Sequence, residues 1–184
     1  TEYEMSVRIG KAATCVTRLR NIWNNKTLSV HTKMQIYNST VVPVLLYGAE
    51  TWAMTRTQEK KLDGFDSRSL RRIMGIRWQQ RVSNVELRRR TKQPPVTSLL
   101  RKRRLKWLGH ALRMDESRIA QQAMTWTAGG KRKPGRPKTT WLQTINRDLA
   151  DMQINLDDAK ELAQNRAEWR TLVSASCDEW RKKK

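Results

Sequence analysis

The chain has 184 residues, with 38 Lys and Arg against 17 Asp and Glu, giving a formal net charge of +21. That length is one large domain or two small ones with room for a sizeable core. No apolar run approaches the roughly 20 residues of a membrane helix, no signal peptide is visible, and the distant Cys15 and Cys177 fit a reducing compartment. A nuclear and cytoplasmic location without a membrane partner is therefore expected.

Over residues 2–23 the apolar positions Met5, Ile9, Ala12, Ala13, Val16, Leu19, Ile22 and Trp23 recur at three and four, the spacing of an amphipathic helix. Asn24, Asn25 and Lys26 break it, and Ser29 is a good N-cap for a second helix carrying Val30, Met34, Ile36 and Tyr37. Pro43 interrupts the apolar run VVPVLLYGAETW, predicting a kinked helix that ends near Gly48; periodicity alone leaves a short buried strand at 44–47 open. Thr57 can cap a third helix through Leu62, Phe65, Leu70, Ile73 and Met74, with Gly75 as its stop.

Ser83 and Glu86 form a capping-box pattern for a short helix. Pro94 and Pro95 force a break, after which Thr97 or Ser98 starts a helix over LLRKRRLKWLGHALRM, residues 99–114. On a helical wheel Leu100, Leu105, Trp107, Leu108, Ala111, Leu112 and Met114 share one side, and Lys102, Arg103, Lys106, His110 and Arg113 the other. Arg101 and Arg104 intrude on the apolar half and are expected to snorkel outward. Residues 118–127 fit a helix or an extended segment, and the glycines and prolines of 129–137 read as a loop. Capping patterns at Thr140 with Gln143 and at Asn165 with Glu168 open two more helices, between which Asp157 and Asp158 sit in the first turn of another. The C-terminal Trp180 and its basic followers read as a frayed tail. The class is all-α, with about seven helices predicted by these signals.

The charge is concentrated. Residues 68–138 hold 21 Lys and Arg against three Asp and Glu, whereas residues 139–184 hold eight of each. A stretch this basic repels itself, so a polyanionic partner, RNA or DNA, is the economical explanation. The candidate contacts are Arg101, Lys102, Arg103, Lys106 and Arg113 on the helix, and Lys131, Arg132, Lys133, Arg136 and Lys138 in the loop. Arg68, Arg71, Arg72, Arg88, Arg89 and Arg90 make a second cluster. Trp23, Trp52, Trp107, Trp141 and Trp169 fit apolar helix faces, whereas Trp78 in RWQQR and Trp126 beside the glycines are candidates for base stacking.

The search for catalytic chemistry is negative. His31, His110, Cys15 and Cys177 lack the close spacing of a zinc site, and no phosphate-binding Gly loop, GxSxG or HExxH is present. No catalytic residue, metal or cofactor is expected in this chain. The segment Gly135-Arg136-Pro137 resembles the core of an AT-hook, an extended element of the minor groove, although Pro134 stands where such hooks carry a basic residue.

Five stretches taken together carry a wider resemblance: KMQIYNSTVVPVLLYGAETW, RSLRRIMGIRWQQRVSN, RKRRLKWLGHALRM, GKRKPGRPKTTW and NRAEWRTLV. Similar stretches follow the polymerase palm, in this order, in non-LTR (LINE-type) retrotransposon reverse transcriptases. The resemblance implies a helical thumb-like region over 1–54 and a basic C-terminal helical nucleic-acid-binding region over 55–184. It also implies a parent enzyme that copies RNA into DNA, with its palm as a partner of this segment. The family's aromatic-x-Asp-Asp motif, its endonuclease domain and the Cys/His knuckle that some members carry are absent from these residues. Magnesium would accordingly belong to the absent palm, and this chain is expected to be non-catalytic, as a fragment or a decayed or domesticated copy would be. The alternative expectation is a stand-alone architectural or regulatory DNA-binding protein that uses the AT-hook-like loop.

Overall fold

The computed structural model describes residues 1–126 and 139–178, and all regular structure among them is helical. The first amphipathic pattern forms α1 (Glu2–Arg18), and a break at Leu19 separates it from the short α2 (Arg20–Asn24). Trp23 of α2 folds back, its indole Nε1 donating to the Val16 carbonyl at 2.8 Å. The Ser29 hydroxyl accepts from the Thr32 amide and starts α3 (Val30–Ile36) as its pattern predicts.

The run around Pro43 is helical. A π-helical turn (Tyr37–Val41) leads into α4 (Val42–Leu45), with the Val42 amide donating five residues back to the Tyr37 carbonyl. Pro43 has no amide to offer, and a wider turn just before it is one of the few ways a helix carries such a residue. Gly48, at φ 66°, ends the run and admits a 3-10 turn (Ala49–Thr51).

α5 (Arg56–Ile73) starts two residues earlier than Thr57 suggests, because Thr55 and Gln58 form a complete capping box. Gly75, at φ 63°, stops it. In α6 (Asn84–Thr91) the Ser83 hydroxyl accepts from the Glu86 amide, but the Glu86 carboxylate turns to Arg89 and Arg90, so only half the predicted box forms. α7 (Val96–Leu112) begins directly after Pro95, and its first turn is capped from elsewhere: Asp63 of α5 accepts from the Thr97 amide at 3.2 Å and its hydroxyl at 2.8 Å. α8 (Ile119–Thr125), α9 (Trp141–Ala150), α10 (Leu156–Gln164) and α11 (Arg166–Asp178) complete the described chain. The Thr140–Gln143 box forms as predicted, and Asn165 accepts from the first amides of α11.

Two apolar interiors result. Met5, Trp23, Tyr37, Leu45, Leu62, Leu70 and Leu100 belong to the first; Leu105, Leu108, Ile145, Leu149, Trp169 and Val173 belong to the second. The division falls inside α7, which serves the first with its N-terminal half and the second with its C-terminal half. The Trp169 indole donates to the Leu105 carbonyl at 2.9 Å and lies across Gly109, fixing α11 on α7. Between the two interiors Arg104 is 1% exposed, bonded to Glu59 of α5 at 3.2 Å and paired with Asp148 of α9 at 2.8 Å. The expectation that Arg104 would snorkel outward is therefore corrected: helices on both sides of α7 enclose it, and two carboxylates meet its guanidinium there.

Candidate nucleic-acid interface

α5 sorts its charges by sign. Its acids turn inward: Glu59 to Arg104 and Arg147, Asp66 to Tyr37 and Arg88, and Asp63 to Thr97. Its exposed charges, Arg56, Lys60, Lys61, Arg68 and Arg72, are all basic. Lys60, Gly64, Arg68 and Arg72 recur at four, so they lie along one stripe about 18 Å long at 1.5 Å per residue. Arg56 pairs with Asp151 and Lys61 with Glu2, while Arg72 reaches only the Thr17 hydroxyl at 3.4 Å. Lys60 and Arg68 have no ion pair among the described residues. Lys60 was not among the sequence candidates, although its spacing from Arg68 and Arg72 was visible.

Beside this stripe runs α1, parallel to α5 and tied to it at Glu2–Lys61 and Thr17–Arg72. Between those ties Gly10 of α1 and Gly64 of α5 each open to space, with nothing within 4 Å of where a Cβ would stand. A helix-interior glycine costs about 0.5–1 kcal/mol relative to alanine. Neither is needed for packing against the described residues.

The other candidates divide according to their partners. On α7, Arg101 is half-buried and holds Asp151 at 2.6 Å, Arg103 donates to the Leu46 carbonyl at 3.0 Å, and Arg113 donates to the Ala163 carbonyl at 2.7 Å. Burial first, and then the nearby Arg166, pull the Arg113 guanidinium below its ordinary range. These three arginines fasten α7 to its neighbours, leaving Lys102 and the exposed Lys106 as the α7 candidates with neither an ion pair nor a side-chain hydrogen bond among the described residues. The wheel had placed one face of α7 in water. Of that face Lys106 and His110 are exposed, whereas Arg103 and Arg113 are drawn onto the Leu46 and Ala163 carbonyls.

In the second cluster, Arg88 is 7% exposed and engages Asp66, the Pro94 carbonyl and the Ser67 hydroxyl. It is therefore withdrawn from the candidate surface. Burial raises the Asp66 carboxyl despite Arg88, and burial together with Asp66 raises the Tyr37 hydroxyl well above its usual range. Arg71 donates to the Val82 carbonyl at 2.9 Å and holds the segment after α5. Arg89 and Arg90 are exposed, and both grip Glu86, whose carboxyl their hydrogen bonds push down to about 2. Trp78 and Trp126 are 83% and 72% exposed, whereas Trp23, Trp52 and Trp169 are buried and Trp107 and Trp141 half-buried. Lys131, Arg132, Lys133, Arg136 and Lys138 lie outside the described residues. Among the described residues no group of three His, Cys, Asp or Glu is placed to hold a metal, and no helix is long and apolar enough to cross a membrane.

Comparison with known proteins adds a source. Over 150 residues, 77% of this chain, the sequence is 24% identical to an uncharacterized transposon-derived protein of Caenorhabditis elegans. The chain spans about half, 53%, of that protein's length. Residues 16–47 match a domain of unknown function (DUF6451), covering the end of α1 through α4. No solved structure matches.

Proposed function

We propose that this chain is the non-catalytic nucleic-acid-binding segment of a LINE-type retrotransposon reverse transcriptase, gripping RNA, primer–template or target DNA through phosphate contacts. The observation that carries the reading is the sorting of charge on α5, where every exposed charge is basic and every acid faces inward. A polymerase-associated grip must hold a duplex while letting it slide, so it needs sequence-independent phosphate contacts and few base contacts. A stripe of Lys60, Arg68 and Arg72 suits that task, with Lys102 and Lys106 as further contacts. The five ordered stretches support the polymerase context, and the likeness to a transposon-derived protein supports a relation to a mobile element. The palm of a longer parent chain is the expected partner, and Mg-dependent synthesis would belong to it.

The test is a salt series with the purified chain on single-stranded RNA, duplex DNA and RNA–DNA hybrid. Log K is expected to fall steeply with log salt, at about 0.9 per phosphate contact on B-DNA. The variant K60E/R68E/R72E should flatten that slope by the contacts it removes, and charge reversal of Lys131, Arg132 and Lys133 should flatten it further. Weak, equal and salt-insensitive binding to all three ligands would overturn the reading.

A further inference from the structure

Resting on that reading, we infer that the turn joining α5 to α6 is a separate subsite for an unpaired nucleobase of a single strand, with Trp78 as the stacking surface. Trp78 is 83% exposed. An aromatic side chain of this size buries on the order of 150–250 Å², so leaving it in water forgoes several kcal/mol of apolar transfer. Folding therefore gives no reason for a tryptophan here.

The turn is nevertheless well built. Ile76 and Val82 anchor its ends against the first interior, and Arg71 clamps the Val82 carbonyl. Gln80 closes the middle: its side-chain oxygen accepts from the Arg77 amide at 3.0 Å and its amide donates to the Arg77 carbonyl at 3.1 Å. The Arg81 amide donates to the Trp78 carbonyl at 3.2 Å, and Arg81 adopts φ 45° to finish the turn. Between the two anchors Arg77, Trp78, Gln79, Gln80 and Arg81 are all exposed. The indole is thus held away from the core by a fixed backbone, in a turn that begins at Arg77 and ends at Arg81.

Charge decides the occupant. Residues 68–92 carry nine Lys and Arg against the single acid Glu86, and neither Arg77 nor Arg81 makes an ion pair among the described residues. An exposed indole in a turn that also carries two unpaired cations fits a base with its adjoining phosphates. In a duplex both faces of each interior base are already stacked, so only an unpaired base offers a free face. The subsite therefore takes single-stranded RNA or DNA, whereas the α5 stripe takes backbone of either kind.

The experiment uses the full chain with a 12-nucleotide oligouridine and a blunt 12-base-pair duplex, measured at one salt concentration for wild type, W78A and W78F. W78A is expected to weaken oligouridine about tenfold or more, as loss of one stacked base does, and to leave duplex affinity within about twofold. W78F should retain most of the single-strand affinity. Wild-type indole fluorescence should be quenched by oligouridine, and part of that quenching should vanish in W78F. An unchanged thermal midpoint in W78A is expected from its exposure and separates stacking from folding. Equal weakening of both ligands, or of neither, overturns the subsite while leaving the phosphate-binding reading in place. Loss of all wild-type binding overturns both, and retention on anionic vesicles that depends on Trp78, without an oligouridine effect, reassigns the turn to a lipid surface.

Discussion

Gly109 illustrates how one residue's role reverses between sequence and structure. Helix propensity alone predicts that Gly109→Ala stabilises α7 by about 0.5–1 kcal/mol. A Cβ at 109, however, would stand 2.1 Å from Trp169 Nε1 and 2.5 Å from its Cδ1. The ring is 3% exposed and hydrogen-bonded to Leu105, so it has no free direction in which to move. The expected result is a loss of about 1–3 kcal/mol, the usual range for overpacking, read as a lower urea midpoint. Gly64→Ala is the control: with open space around it, the propensity gain should appear and the midpoint should rise. Stabilisation by both substitutions would mean that Trp169 does not lie on Gly109. A second residue-scale prediction concerns Glu86. Its carboxyl titrates near 4.3 in the unfolded chain and about 2 in the folded one, so the unfolded state binds more protons between those values. The stability it contributes is present above about pH 5 and lost progressively as pH falls toward about 2. E86Q should flatten that part of the denaturation profile, and a Glu86 carboxyl that titrates with the other exposed acids would contradict it.

At the scale of elements, what joins α5, α7 and α9 is polar. Glu59, Arg104 and Asp148 meet between the two apolar interiors, with Arg147 donating to Glu59 and Arg101 beside Asp148. Among the described residues Arg104 Nε and Nη1 have no hydrogen-bond partner, and the Arg104–Asp148 contact lacks hydrogen-bond alignment, so the enclosed charges are compensated mainly by proximity. Burial raises the Asp148 carboxyl even with three arginines nearby. Removing Asp148 leaves the buried Arg104 with only Glu59, which it shares with Arg147, and breaking a buried pair typically costs about 3–5 kcal/mol. D148N is therefore expected to lower stability by about 3 kcal/mol, and R104M/D148L to recover much of that loss. Additive losses for R104M and D148L, measured singly and together, would mean that the two side chains do not interact. The same network marks where sequence reading stops. Caps at Ser29, Thr140 and Asn165 were legible because donor and acceptor lie within three residues. Arg104 was not: the helical wheel groups it with Arg101 on the apolar half, but the carboxylates that allow it to be enclosed lie more than forty residues away on either side. The Asp63 cap on α7 was hidden for the same reason. Among the candidate contacts the basic residue types were legible; which of them internal carboxylates and carbonyls would occupy depended on the packing.

For the whole molecule, the net charge and the shared α7 make opposite demands that salt can separate. A formal charge of +21 on 184 residues repels itself, and screening relieves that repulsion in the folded state more than in the expanded one. Exposed pairs such as Lys61–Glu2 and Lys160–Asp157 weaken in the same salt, but each is worth about 0–1 kcal/mol at most. The enclosed Arg104–Asp148 and Arg88–Asp66 pairs are nearly insensitive to it. Repulsion should therefore dominate, and the urea midpoint is expected to rise between about 0.05 and 0.5 M salt, where the Debye length falls from above 10 Å to below 8 Å. Phosphate binding over the same range should fall, because counterion release becomes less favourable. Stability and affinity thus move in opposite directions under one variable, which excludes unfolding as the cause of lost binding. Because α7 contributes Leu100 to one interior and Leu105 and Leu108 to the other, the rise should appear as a shift of one cooperative transition. Two separate midpoints would show that the interiors unfold independently, and a midpoint that falls with salt would mean that exposed ion pairs outweigh the repulsion.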